Sequence, residues 1–221
     1  MSGSFLSAVE SPIASEPPSS TTRALYDPAE YPLLAAAEAG DLASVSRLLN
    51  ANADANQRTR EGWSAIIMAA KEGHTNIMME LMMADAEVNP PGRDEPGFVP
   101  THTALRGAAL NGQLGSVRML LESEADPNQV SSESKSPLMG AAMNGHSDVV
   151  SVLLANGALP MPVNKYGETA RALAEANGHS GIADTLKRCE GASLSGPGST
   201  GLTPGQAADM LAGYLDANKI S

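Results

Sequence analysis

The chain has a single cysteine, Cys189, in 221 residues, which excludes an intramolecular disulfide framework and a four-cysteine zinc site. A fold without such staples suits a reducing compartment, so a cytoplasmic or nuclear location, or both, is expected. Basic side chains are in the minority, 14 Lys and Arg against 25 Asp and Glu, for a net charge of −11. A general nucleic-acid binder needs clustered surplus cations to displace phosphate counterions, and this composition excludes that class. An acidic surface better suits a basic protein partner. No apolar run approaches the roughly 18 residues of a membrane span, so no membrane association is expected. HExxH, CxxC and EF-hand patterns are missing, and no glycine-rich phosphate loop follows a strand. Neither a metal, a cofactor nor a catalytic constellation is therefore expected.

What the sequence does have is a period. Alanine pairs recur at Ala36-Ala37, Ala69-Ala70, Ala108-Ala109 and Ala141-Ala142, with Ala174-Glu175 in the same phase, at intervals of 33, 39, 33 and 33 residues. A glycine follows each pair by three residues (Gly40, Gly73, Gly112, Gly145, Gly178). Eight and nine residues beyond it comes an apolar doublet: Leu48-Leu49, Leu81-Met82, Leu120-Leu121 and Leu153-Leu154, with Leu186-Lys187 closing the series. The spacing predicts a helical hairpin: small alanines let a first helix pack closely, the glycine turns the chain, and the doublet sits on a second helix running back. One such hairpin cannot bury its own apolar faces, so the units must stack into a continuous core.

Gly73-His74-Thr75-Asn76-Ile77, Ser136-Pro137-Leu138-Met139-Gly140-Ala141-Ala142 and Ala125-Asp126-Pro127-Asn128 resemble the ankyrin repeat, and five units share that register over residues 31–190. The resemblance implies an all-α solenoid of helix-turn-helix units with finger loops. It also implies a non-enzymatic protein-binding module: an adaptor, inhibitor or scaffold. Two alternatives stay open, an acidic escort for a basic client such as a ribosomal protein or histone, and a targeting or regulatory subunit of an enzyme complex. A monomer or a subunit of a hetero-complex is expected. Six extra residues fall in the Pro- and Gly-rich stretch 90–100, a length that belongs in a finger loop.

The ends differ in composition. Residues 1–30 are rich in Ser and Pro and are expected to be a disordered arm, with no signal-peptide pattern. Residues 191–202 read as a flexible linker. In residues 203–221, Thr203, Pro204 and Gln206 form a helix-start pattern, and Ala207, Met210, Leu211, Tyr214 and Leu215 share one face, so a C-terminal amphipathic helix is expected. Tethered in this way, it can fold back on the last unit or engage another molecule.

The family places the residues after the alanine pair, and those around the glycine that opens each unit, on the concave face and finger tips. Carried onto this chain, the partner-binding candidates are Arg60, Trp63, Lys71, Phe98, His102, Leu110, Lys135, Met143 and Tyr166. Trp63, Phe98, Leu110 and Met143 are expected to form one exposed apolar strip, flanked by Arg60, Lys71 and Lys135. The family often uses histidine after the turn glycine as a structural hydrogen bonder, which implies that role for His74, His146 and His179. Met68, Met78, Met79, Met82, Met83 and Met119 are expected to fill the core. Asn56, Asn89 and Asn128 hold the finger position that an asparaginyl hydroxylase can modify in animal members of the family; forming the turn is their alternative role.

Overall fold

The computed structural model describes residues 26–88 and 102–194, with side chains to Glu190. Among the described residues ten helices alternate between two layers. The first helices are α1 (Pro32–Ala39), α3 (Ala65–Glu72), α5 (Ala104–Leu110), α7 (Pro137–Met143) and α9 (Ala170–Ala176). The second helices are α2 (Leu42–Asn50), α4 (Thr75–Met83), α6 (Leu114–Glu122), α8 (Ser147–Ala155) and α10 (Ser180–Leu194). Neighbouring first helices pack more closely than neighbouring second helices, which bends the row toward the first-helix side. The alanines explain the difference: Ala37, Ala69, Ala70, Ala108, Ala109, Ala141, Ala142 and Ala174 are fully buried, and their small side chains let the backbones approach. Gly140 takes this furthest, because a Cβ there would stand 3.4 Å from the Leu110 Cα.

The doublets close the core from the second layer, with Leu81, Leu120, Leu153 and Leu186 all at 0% exposure. At the turn inside each of the first four units the glycine has two duties. Gly112 adopts φ +70°, a left-handed conformation that L side chains resist, and an added Cβ would lie 2.5 Å from His146 Nδ1 of the next unit. The same vacancy receives His74 at Gly40, Gln113 at Gly73 and His179 at Gly145. His146 Nε2 hydrogen-bonds the Leu110 carbonyl at 3.0 Å, and His74 Nε2 reaches the Glu38 carbonyl at 3.3 Å, so in both the ring donates across a unit boundary. These histidines are mortar between repeats. Among the described residues no group of three or more His, Cys, Asp and Glu is placed to hold a metal ion.

Two boundaries move. Residues 26–30, the last five of the stretch read as a disordered arm, are placed against α1. Tyr26 donates to the Glu38 carboxylate, its ring meets Tyr31 edge-on at 6.2 Å, and Asp27 Oδ1 accepts from the Ala29 N–H at 2.9 Å. Desolvation and then that carboxylate push the Tyr26 hydroxyl pKa well above its usual value. At the other end α10 runs through residues 191–194, the first four of the stretch read as a linker. Cys189 is buried on this helix, and burial raises its thiol pKa. The rest of the linker and the C-terminal segment 203–221 lie outside the described residues. Among the methionines, Met68 and Met78 are core, but Met79 and Met83 are 52% and 71% exposed, because α4 turns that side away from its neighbours.

Candidate functional site

Between units the chain makes a tight antiparallel finger tip, seen in Thr59 N–H donating to the Trp63 carbonyl at 2.9 Å, Ser131 N–H to Lys135 at 3.1 Å and Asn164 N–H to Glu168 at 3.0 Å. Each tip is braced from inside by a buried polar side chain. Thr59 Oγ1 accepts from the Trp63 N–H at 3.2 Å, Ser131 Oγ from the Lys135 N–H at 3.4 Å, and Asn164 Oδ1 from Tyr166 and Glu168 at 2.9 and 3.0 Å. Below the tips, three first helices carry a side-chain cap: Thr103 accepts from Arg106 N–H at 3.2 Å, Ser136 from Met139 at 3.2 Å and Thr169 from Ala172 at 3.1 Å. The fingers are thus fixed relative to the helices they open.

The fingers are also tied to each other. Asn56 donates from Nδ2 to the Asp85 carbonyl at 3.0 Å and accepts at Oδ1 from the Glu87 N–H at 2.8 Å. Asn128 repeats the clasp on Gly157 and Leu159, at 3.0 and 2.8 Å. Both side-chain amides are therefore spent on the neighbouring finger, whatever modification they can receive. Asn89 lies outside the described residues.

Trp63, His102, Lys135 and Glu168 occupy one register position in successive units. Stacking brings the first two together: the indole and imidazole centroids are 3.6 Å apart and 16° from parallel. The expected exposed strip is corrected here. Trp63 and Leu110 are each only 8% exposed, Trp63 because the His102 ring covers it and Leu110 because α7 closes over it at Gly140. Met143 is half-buried and packs on the core, and Phe98 lies outside the described residues. His102 itself has its pKa pushed down to about 4, by desolvation first and then by the charges of Arg106 and Lys71. It is neutral at pH 7.

What the surface offers instead is a chain of finger-tip charges ending in an aromatic. Glu133 receives Lys135 Nζ at 2.8 Å and Lys165 Nζ from the next finger at 2.6 Å, which together hold its carboxyl down to about 2. Lys165 Nζ also stands 5.0 Å from the centroid of Tyr166, which is 64% exposed. Arg60 is exposed on the corresponding tip of the first finger, and Lys71 pairs with Glu72 at 3.0 Å at the base of the same unit. Charges of both signs also line the opposite layer. Glu80, Asp85, Glu122, Glu124, Asp148 and Asp184 sit on the second helices and the turns after them, against Arg47, Arg118, Lys187 and Arg188.

The sequence reading missed Leu159, Met161 and Val163, which are 44%, 47% and 52% exposed on the last finger. The signal was available: Leu159 and Met161 stand where the preceding finger has Asp126 and Asn128.

Stacked helical hairpins with clasped fingers define a repeat scaffold. A family profile described as ankyrin repeats in three copies matches residues 33–131 and again 105–195. The chain belongs to the ankyrin-repeat family, and such repeats make a protein–protein interaction module. Mitochondrial disaggregases of Homo sapiens and Bos taurus are each 40% identical to this chain over 57 residues, 26% of its length. The matched stretch spans 8% of those curated relatives. Among the described residues no helix is long and apolar enough to cross a membrane.

Proposed function

We propose that the chain is a non-enzymatic adaptor, inhibitor or scaffold that binds a partner protein with its first-helix face and finger tips. The observation that carries this reading is the tip of the last finger. Tyr166 is solvent-exposed on a braced turn, beside a lysine already paired to the adjacent finger, so an aromatic anchor is presented with little left to order on binding. Arg60, Lys135 and Met143 extend the surface along the row. Charge along it is mixed rather than acidic, which favours a partner with both carboxylates and amines at its rim over a purely basic client. The escort alternative would draw its steering field from the second-helix side. Capture of the partner with the full chain, followed by amide hydrogen exchange of the complex, tests the reading. Protection of residues 131–135 and 164–168 is expected; protection confined to α2, α4, α6 and α8 would overturn it.

A further inference from the structure

The last finger breaks the pattern of the others in one way that has a geometric meaning. Asn56 and Asn128 each clasp the backbone of the finger that follows, and the residues they grip come just after a second helix. One repeat later, the gripping position is Met161 and the residues to be gripped would be 190 and 192. Those residues lie inside α10, which continues to Leu194 instead of ending near residue 188 as the nine-residue α8 would dictate. No extended finger follows at that place, and the residue that would have held one is apolar.

Exposure along this segment alternates residue by residue. Leu159, Met161 and Val163 face solvent, Pro160 and Asn164 are buried, and Pro162 is half-buried. The alternation leaves three large apolar side chains on the outward side of the segment. Prolines at 160 and 162 remove backbone donors that an added strand would need, so the edge is suited to side-chain packing rather than to strand pairing. Three half-exposed side chains fall far short of the roughly 800 Å² per partner of a stable association between separate chains. A tethered segment needs much less, because its effective concentration is of millimolar order.

The chain supplies such a segment. Glu190 is ion-paired to Arg171 at 2.9 Å, which sets the end of α10 beside the start of α9, and α9 follows directly on the last finger. The overrun of about six residues carries the chain about 9 Å further. The Gly- and Ser-rich sequence of residues 195–202 is long enough for a random-coil reach of about 16 Å, sufficient for a return to the finger. Beyond them the sequence places Ala207, Met210, Leu211, Tyr214 and Leu215 at the i, i+3, i+4, i+7, i+8 spacing of one helical face. We propose that residues 203–221 fold back on their own chain and lay this apolar face on Leu159, Met161 and Val163, in the place a sixth finger would take. The segment is then an intramolecular cover of the last finger, next to Tyr166.

The test is photo-crosslinking in the full chain, with a benzophenone side chain introduced at Met161 and, as a control, at Met83 on α4; circular dichroism confirms that both fold. Irradiation at 161 is expected to give crosslinks within one chain to peptides from 203–221, and the double substitution Leu211→Asp with Leu215→Asp is expected to lower their yield at least tenfold. Crosslinks between two copies, no crosslink to 203–221, or an equal yield from the control position would each overturn the proposal. This outcome is independent of the partner-binding reading, since it needs no second protein.

Discussion

The Trp63 indole lies flat against the His102 imidazole, 3.6 Å between centroids, one repeat apart in the row. That contact makes the tryptophan part of the seam between the second and third units. Trp63→Ala is therefore expected to cost about 3 kcal/mol or more of folding stability, in the range of Leu120→Ala at the core doublet. Urea unfolding followed by circular dichroism measures it. A loss below about 0.5 kcal/mol would place the indole outside the core.

His102 also sets a pH dependence. Its pKa is about 4 in the folded chain and near 6.5 when unfolded, so between those values the unfolded state binds more protons. Stability from this group is complete above about pH 6.5 and falls as the pH drops toward 4. Melting temperatures of the natural chain and of His102→Phe, taken across that window, are expected to show a shallower decline in the variant. Parallel curves would contradict the assignment.

Gly112 and Gly178 separate two costs that other turn glycines combine. Both have left-handed backbones, φ +70° and +79°, but a Cβ at Gly112 meets His146 whereas at Gly178 it meets nothing within 4 Å. Gly178→Ala should cost about 1 kcal/mol from conformation alone. Gly112→Ala should cost distinctly more, and a cycle with His146→Ala should recover part of the difference. Equal losses at the two sites would mean that the ring yields freely.

The five-unit solenoid was legible in the sequence because alanine pairs, turn glycines and leucine doublets are local demands that repeat. Which side chains the stacking would cover was harder to read. Trp63 sits at a tip position that elsewhere carries Lys135 or Glu168, and it joins the core with the aromatic ring of His102 from the next unit stacked on it. Leu110 is closed off by Gly140, whose missing side chain draws the backbones together. Both are consequences of the neighbouring repeat rather than of the residue itself. Tyr166, by contrast, stands open at its tip.

The clasp of Asn128 on the next finger supports a fourth expectation. Asn128→Ala removes two bonds, to Gly157 and Leu159, and should cost about 2 kcal/mol at roughly 1 kcal/mol each. Hydrogen exchange at Leu159 should rise with it. Unchanged protection there would mean that the fingers hold together without the amide.

The central claim is that a partner protein is held by the tips and the first-helix face. The direct measurement is the affinity of the captured partner for the natural chain, for Tyr166→Ala and for Met83→Asp, by titration calorimetry. Tyr166→Ala should weaken binding about thirtyfold, equivalent to about 2 kcal/mol, with Met83→Asp unchanged. Loss of affinity in Met83→Asp with Tyr166→Ala unaffected would place the binding surface on the second helices and contradict the account.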